Sequence, residues 1–336
     1  MILKKLKISL ICCTLSIGIL GSVANKNKSY ADYKNYKEIR VAFNQNEKHP
    51  QYIAMKHLGE EFEKKTNGRY KMKIYANGVL GSQNEVAEFI RTGALQMAIV
   101  PSSVPESYDS DFAIVGAPYL YKDMNHMERA LNKGIFDKLF ASTKKYNFQV
   151  LTIYTAGERN VYSKKPINSA KDLKGQIIRV NNSPTYVEMT KLMGGTGAVM
   201  AQSEVYTALQ QGVIDAGENS ELVYNDFKHY EVAPYYSYTK HIVHPDVVIA
   251  SNDFLDTMDN KDKEIFRKLV RESSNYEFKT FAKKIKEAKV EIAKHGTKFC
   301  YPDTNELRKL NQPLLDKIAN KSKNTKKIYN EINSLR

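Results

Sequence analysis

Cysteine occurs only three times in the 336 residues, and Cys12 and Cys13 sit side by side in an apolar run near the N-terminus. Once that run is removed Cys300 stands alone, so no intramolecular disulfide can form. Without a histidine-partner motif its thiol reads as inert packing. Catalytic signatures are missing as well: no Gly-x-Ser-x-Gly elbow, no Walker loop and no His-Glu-x-x-His. Gly194-Gly195-Thr196-Gly197 lacks the third glycine and the downstream acid of a dinucleotide loop and reads as a turn. His241 and His244 lie in a strand-like context with no cysteine or second pair beside them, which argues against a metal site. No internal repeat is present, and low complexity is confined to the lysine-rich tail. These absences speak against an enzyme and against any bound cofactor or metal.

Long apolar runs are also missing. The one candidate, Ile8 to Leu20, is too short for a membrane span, and Lys4, Lys5 and Lys7 precede it. That pattern is an export signal over residues 1–31, with cleavage after Ala24 or after Ala31, and it predicts a periplasmic protein. Cys12 and Cys13 lie too early in it for lipidation. Removing residues 1–31 takes away five lysines and no acid, lowering the formal charge from +14 to +9. A basic chain suits an anionic ligand or an anionic membrane surface. No zinc-ligand, RNP-like or recognition-helix pattern accompanies the charge, so nucleic-acid binding is not expected.

What is present is an alternation of strands and helices. Ile39, Val41 and Phe43 alternate as in a strand, and Ala54, Leu58 and Phe62 then recur at helical spacing as far as Thr66-Asn67-Gly68. Strand patterns follow at 71–75, 95–100 and about 148–154, with helices at 84–91 and about 123–142. The rhythm restarts after Gly157, with strands over 176–180 and 213–216 and a helix at 204–210. Residues 235–250 read as extended segments crossing back. From 260 to 294 the pattern is helical without interruption, about 50 Å of helix at ~1.5 Å per residue. Such alternation predicts a largely parallel, doubly wound α/β sheet, and a mature chain of this length predicts two lobes.

Arg179 stands out because it interrupts the apolar run Ile177-Ile178-Arg179-Val180. A guanidinium buried in such a strand needs an anionic partner. Its parallel N–H donors match the two oxygens of a carboxylate in a way that a lysine ammonium does not. The plainer alternative is an arginine paired with an acid of the protein itself, and it applies to Arg159 with more force. α/β proteins bind ligands at the carboxyl ends of their strands. The turn after the first strand therefore contributes Gln45 and His49, and comparable loops contribute Gln83 and Ser102; each could equally stabilise its own turn. Gln202 and Asp246 are further candidates from the second lobe and its crossover.

The stretch from Gly157 to Val180, including Arg159-Asn160-Val161-Tyr162 and Lys171-Asp172-Leu173-Lys174-Gly175, closely resembles the signature of DctP-type TRAP-transporter substrate-binding proteins. So does the stretch from Met200 to Asn219, with Leu209-Gln210-Gln211-Gly212-Val213-Ile214-Asp215-Ala216 at its centre. Upstream, Thr66-Asn67-Gly68, Val79-Leu80-Gly81 and Arg91-Thr92-Gly93-Ala94-Leu95 fit as well. The resemblance implies a periplasmic-binding-protein-like fold with two α/β lobes, a central cleft, crossover strands and a long helix spanning both. The lobes would comprise 32–156 plus about 245–284, and 157–244 plus about 285–336. It implies a monomer that binds a small organic acid and delivers it to the membrane subunits of a sodium-coupled transporter. Arg179 takes the place of the family's carboxylate-clamping arginine and Arg159 that of a second arginine. Asn219 matches an asparagine on the same carboxylate, and Asn182 lies just past the Arg179 strand.

Within that family the chain looks most like members taking sugar acids such as hexuronates. Sialic-acid binders resemble it at the arginines and at Asn219 but carry an acid where Pro101 stands and an aromatic where Gln202 stands. Gln45, His49, Gln83 and Gln202 would serve several hydroxyls, which a C4-dicarboxylate would leave unpaired at a cost. Sialic acid and C4-dicarboxylates remain the alternatives, beside a secreted enzyme acting on sugar acids and an extracytoplasmic sensor or adhesin.

Overall fold

The computed structural model describes residues 36–336; the expected export signal lies outside the described residues. The first part of the chain runs β1 (Lys37–Ala42), α1 (Pro50–Lys65), β2 (Tyr70–Tyr75), α2 (Gln83–Arg91), β3 (Met97–Pro101), α3 (Ser103–Glu106), α4 (Met124–Asn132) and α5 (Asp137–Ser142). It continues with β4 (Phe148–Ser163), β5 (Ile177–Val180), α6 (Pro184–Leu192), β6 (Thr196–Val199), α7 (Val205–Gln211), β7 (Ala216–Asn219) and α8 (Glu221–Asp226). The remainder is β8 (Tyr235–Ser251), α9 (Asn252–Asp256), α10 (Asn260–Lys294), β9 (Lys298–Cys300), α11 (Thr304–Ala319) and α12 (Lys323–Asn333). None of these helices is long and apolar enough to cross a membrane.

All nine strands belong to one sheet of order β2-β1-β3-β8-β4-β7-β5-β6, with β9 paired to β8. Parallel β-α-β units build the two flanks, β1 with β2 and β3, and β5 with β6 and β7. The centre departs from the largely parallel expectation. β4 and β8 are antiparallel to each other and to their flanking neighbours β7 and β3. A helical crossover forces parallel pairing, whereas two long strands that enter and leave at opposite ends pair antiparallel.

The expected break at Gly157 is instead a kink inside β4. The strand continues to Ser163, and its register against β8 shifts between Thr155 and Glu158. Gly157 adopts a φ of +84°, and a Cβ there would lie 2.8 Å from the Phe281 ring and 3.1 Å from Ser220. The Gly157 amide donates to Thr155 Oγ1 at 3.0 Å, and the Thr155 amide donates to the buried Glu277 Oε2 on α10 at 2.9 Å. Such a bulge bends the strand and re-aims the residues beyond it, here Arg159. The expected helix at 123–142 is likewise two helices, α4 and α5, separated at Gly134, whose φ is +70°.

Helix α10 spans 35 residues, as its periodicity predicts. Near its start Phe266, Leu269 and Val270 pack with Val41, Leu58, Phe62 and Val248. Near its end Ile292 packs with Tyr162, Val205, Leu209, Tyr224 and Tyr236. One helix thus braces both flanks of the sheet, while Phe281 supports the kink between them.

Replacing Gly157 with alanine adds both a left-handed backbone penalty and a clash with Phe281. We expect Gly157→Ala to destabilise the fold by about 2–4 kcal/mol in urea unfolding. A loss below ~1 kcal/mol would show that the kink accepts a side chain.

Candidate ligand-binding site

The carboxyl ends of the strands converge on one polar crevice. Asn44 and Gln45 follow β1, and His49 caps α1, where Pro50 takes the first helical position and removes one unpaired N–H. Gln83 opens α2 behind the Ser82–Glu85 capping box. Arg159 lies on β4 beyond the kink, Arg179 on β5, Asn219 at the end of β7, and His244 and Asp246 on β8. All of these except Pro50, Ser82 and Glu85, together with Pro101, Ala156, Asn181, Gln202 and Val223, line an inner cavity of about 30 Å³. Asn44, Gln83, Arg179, Asn181 and Gln202 also line an outer cavity of about 580 Å³, with Ser82, Asn182, Met200 and Phe227 among its walls.

The two arginines are equally buried, each 3% exposed, but electrostatically opposite. Arg159 Nε pairs with Glu218 Oε2, and its Nη2 donates to Glu218 Oε1 at 2.6 Å and to the Glu218 carbonyl at 2.7 Å. Thr239 Oγ1 accepts the Val161 amide and lies 2.8 Å from His241 Nδ1. The Glu218 carboxylate can only accept, so His241 Nε2 carries a proton and donates to Glu218 Oε2 at 3.3 Å. Burial works against both charges of the pair, yet mutual attraction prevails. The Arg159 guanidinium is held above its usual range and the Glu218 carboxyl down to about 2. Only Arg159 Nη1 is turned elsewhere, toward Asn219 Oδ1 at 3.4 Å.

Arg179 forms no ion pair among the described residues. Its Nε and Nη2 donate to the Met200 carbonyl at 3.1 and 3.0 Å, and Nη1 donates to Gln202 Oε1 at 3.1 Å. Burial and the neighbouring Arg159 charge lower its pKa to about 10. A buried cation held only by neutral acceptors carries an uncompensated desolvation cost, which an anion at the site would offset. Asn219 Nδ2 donates to the same Gln202 oxygen at 3.3 Å, which ties the two residues into one group.

The opposite wall is built around Asp246. Tyr186 donates its hydroxyl to His244 Nδ1 at 2.7 Å, and His244 Nε2 lies 3.2 Å from Asp246 Oδ1. Gln51 Nε2 donates to Asp246 Oδ2 at 2.9 Å. The Gln51 amide donates to His49 Nδ1 at 3.3 Å, so the free Nε2 of that ring carries its proton. Burial brings the His49 pKa down to about 4 despite the nearby Asp246, and burial also lowers that of His244. Gln45 Oε1 and Gln202 Nε2, both on cavity-lining residues, are buried with no hydrogen-bond partner among the described residues. Buried polar atoms are nearly always paired, so these two have hydrogen-bonding capacity to spare beside the cavity.

Eight of the ten residues expected from the sequence line the inner cavity: Arg179, Arg159, Asn219, His49, Gln45, Gln83, Gln202 and Asp246. Asn182 is exposed and reaches only the outer cavity, whereas Asn181 is 7% exposed and lines both. Strand alternation accounts for this: Asn181 stands two residues beyond Arg179 and shares its face. Ser102 lines neither cavity. It is buried where its Oγ would meet a Cβ on Gly116, and its amide donates to the Pro245 carbonyl at 3.1 Å. Sequence reasoning missed His244, Gln51 and Glu218. For His244 the signal was its i, i+2 relation to Asp246 on one strand face.

Three comparisons bear on this geometry. Residues 41–322 match the family model for bacterial extracellular solute-binding protein family 7, DctP. A TRAP periplasmic solute-binding protein from Anaerococcus prevotii, solved with bound α/β-D-glucuronate, is 32% identical with a TM-score of 0.86, covering 89% of this chain and 98% of its own. One from Xanthobacter autotrophicus, with bound β-D-galacturonate, is 29% identical with a TM-score of 0.85, covering 88% and 99%. The sialic acid-binding periplasmic protein SiaP of Vibrio cholerae is 28% identical over 79% of this chain and 83% of its own.

Glu218→Gln would leave Arg159 buried without its counter-charge. The variant should lose about 3–5 kcal/mol of stability at pH 7. Because the native Glu218 carboxyl lies below its ordinary 4.5, that contribution is present above pH 4.5 and fades as pH falls toward 2. Unfolding midpoints of wild type and variant should therefore converge over this window. A gap that stays constant would mean that the pair is not the source.

Proposed function

The chain belongs to the bacterial extracellular solute-binding protein family 7, DctP, and on that premise we propose that it is a non-catalytic periplasmic capture protein for a hexuronate. It would close its two lobes on the sugar acid and pass it to the membrane subunits of a sodium-coupled TRAP-type transporter. The observation that carries this reading is Arg179, a buried guanidinium with no acid partner, facing a crevice walled by hydroxyl-matching groups.

The recognition step is an exchange of acceptors. Arg179 gives up two hydrogen bonds to the neutral Met200 carbonyl and gains two to a ligand carboxylate. Bonds to charged acceptors contribute roughly 1.5–3 kcal/mol each, against 0.5–1.5 for neutral ones, so the exchange favours the bound state. Asn219 and Gln202 move with Arg179 because they share its hydrogen bonds. An inner cavity of about 30 Å³ holds no more than a water or two, so entry of a sugar acid requires this group to swing and the crevice to widen. Cross-cleft contacts, such as Asn46 Nδ2 to Asp226 Oδ2 at 2.8 Å, would break and re-form as the lobes move. A ligand touching both walls then shifts the population toward the closed arrangement.

Uronates are favoured over sialic acid by two positions. Pro101 and Gln202, where the chain departs from the sialic-acid pattern, both line the inner cavity. The uronate complexes of the two solved relatives support the same choice.

D-Glucuronate or D-galacturonate should raise the melting temperature of the purified protein, with sialic acid and malate as comparators, since a ligand bound only by the folded state stabilises it. The sugar acid should be recovered unchanged; turnover would point to an enzyme. Arg179→Lys should weaken binding at least ~10-fold in calorimetry, about 1.4 kcal/mol. Unchanged affinity would remove Arg179 from the site.

A further inference from the structure

We propose that Asp246 is the specificity-determining residue that restricts this cleft to polyhydroxylated monocarboxylic acids and shuts out diacids. The inference rests on the hexuronate reading above and deepens it.

Among the residues lining the inner cavity, Asp246 is the sole acid, facing the two arginines. The Arg159 charge is spent on Glu218, which leaves one uncompensated cation, Arg179, and one uncompensated anion, Asp246. In the sheet order β8-β4-β7-β5 these two stand on strands three places apart, and both line the same inner cavity. The site is therefore polar end to end, with a cationic pole for one carboxylate and an anionic pole for something else.

Neutral groups hold Asp246 in place. Tyr186 donates to His244, His244 donates to one carboxylate oxygen, and Gln51 donates to the other. The Asp246 carboxylate can only accept, so the ring proton sits on His244 Nε2 and leaves Nδ1 to accept the Tyr186 hydroxyl. Burial pushes the Asp246 carboxyl up, but the His244 and Gln51 hydrogen bonds and the two nearby histidines bring it below its usual value. These donors keep it ionised without supplying a formal positive charge. Each oxygen retains a lone pair beyond its one protein donor, and His49 offers a ring N–H beside them. An acceptor adjacent to a donor matches sugar hydroxyls, which both give and receive hydrogen bonds. A second carboxylate can only accept, and at ~4 Å from Asp246 with an effective dielectric of about 20 it would be repelled at least a hundredfold in affinity.

The test compares D-glucuronate with D-glucarate, which carries a second carboxylate at the other chain end, and with malate, by calorimetry on the whole protein. Wild type should bind glucuronate and refuse both diacids by at least about a hundredfold. Asp246→Asn should weaken glucuronate about tenfold and strengthen glucarate, so that the preference largely collapses. Asp246→Ser, which also removes the charge, serves if the asparagine variant misfolds. Comparable binding of glucarate and glucuronate by wild type overturns the inference, as does an unchanged preference in a folded variant; the hexuronate reading survives both results. If wild type ignores uronates yet binds sialic acid, and admits diacids only once Asp246 is neutral, the hexuronate reading falls and the role of Asp246 stands. Preference for a diacid, or binding of no acid, overturns both.

Discussion

Two guanidinium groups lie buried side by side, and only one of them is neutralised by the protein. Arg159 is locked by Glu218, with His241 behind it, into a compensated unit. Its charge nevertheless reaches Arg179, whose protonated form it makes less comfortable. The protein thus holds one buried positive charge without a counter-charge among the described residues. Removing the Glu218 carboxylate would leave two like charges together; giving Arg179 its own acid would fill the site from within. The arrangement works because the pairing is unequal.

The scaffold keeps this unequal pair in register. β4 and β8 run through the centre of the sheet, and the kink at Gly157 turns β4 so that Arg159 faces the crevice while Val161 and Tyr162 return to the core. Glu277 on α10 accepts the Thr155 amide at the kink, and Phe281 fills the space that any side chain at Gly157 would need. Burial raises the Glu277 carboxyl well above its ordinary range. Helix, kink and arginine form one mechanical unit.

Family membership alone does not select a ligand, since a protein of the same family binds sialic acid and others bind uronates. Across the inner cavity from Arg179 the lining includes Pro101, His49 and Asp246, a wall that carries no positive charge from lysine or arginine. The unpaired atoms Gln45 Oε1 and Gln202 Nε2 belong to the same surface. Left unpaired, they cost folding stability.

Local chemistry was legible directly from the amino-acid order. The helix over 260–294 follows from uninterrupted periodicity, and Arg179 declares itself by breaking an apolar strand. His49 and Gln83 were visible because they follow strands at turn signals. What remained hidden required knowing which face each residue takes and what meets it across the fold. The continuation of β4 through Gly157, the choice of Asn181 over Asn182, and the loss of Ser102 to packing behind the site are matters of register and face. The partners that separate Arg159 from Arg179, and the Tyr186–His244–Asp246–Gln51 set, join residues up to 195 positions apart. Periodicity encodes local faces, but charge compensation depends on distance, and only the folded sheet brings those groups within reach.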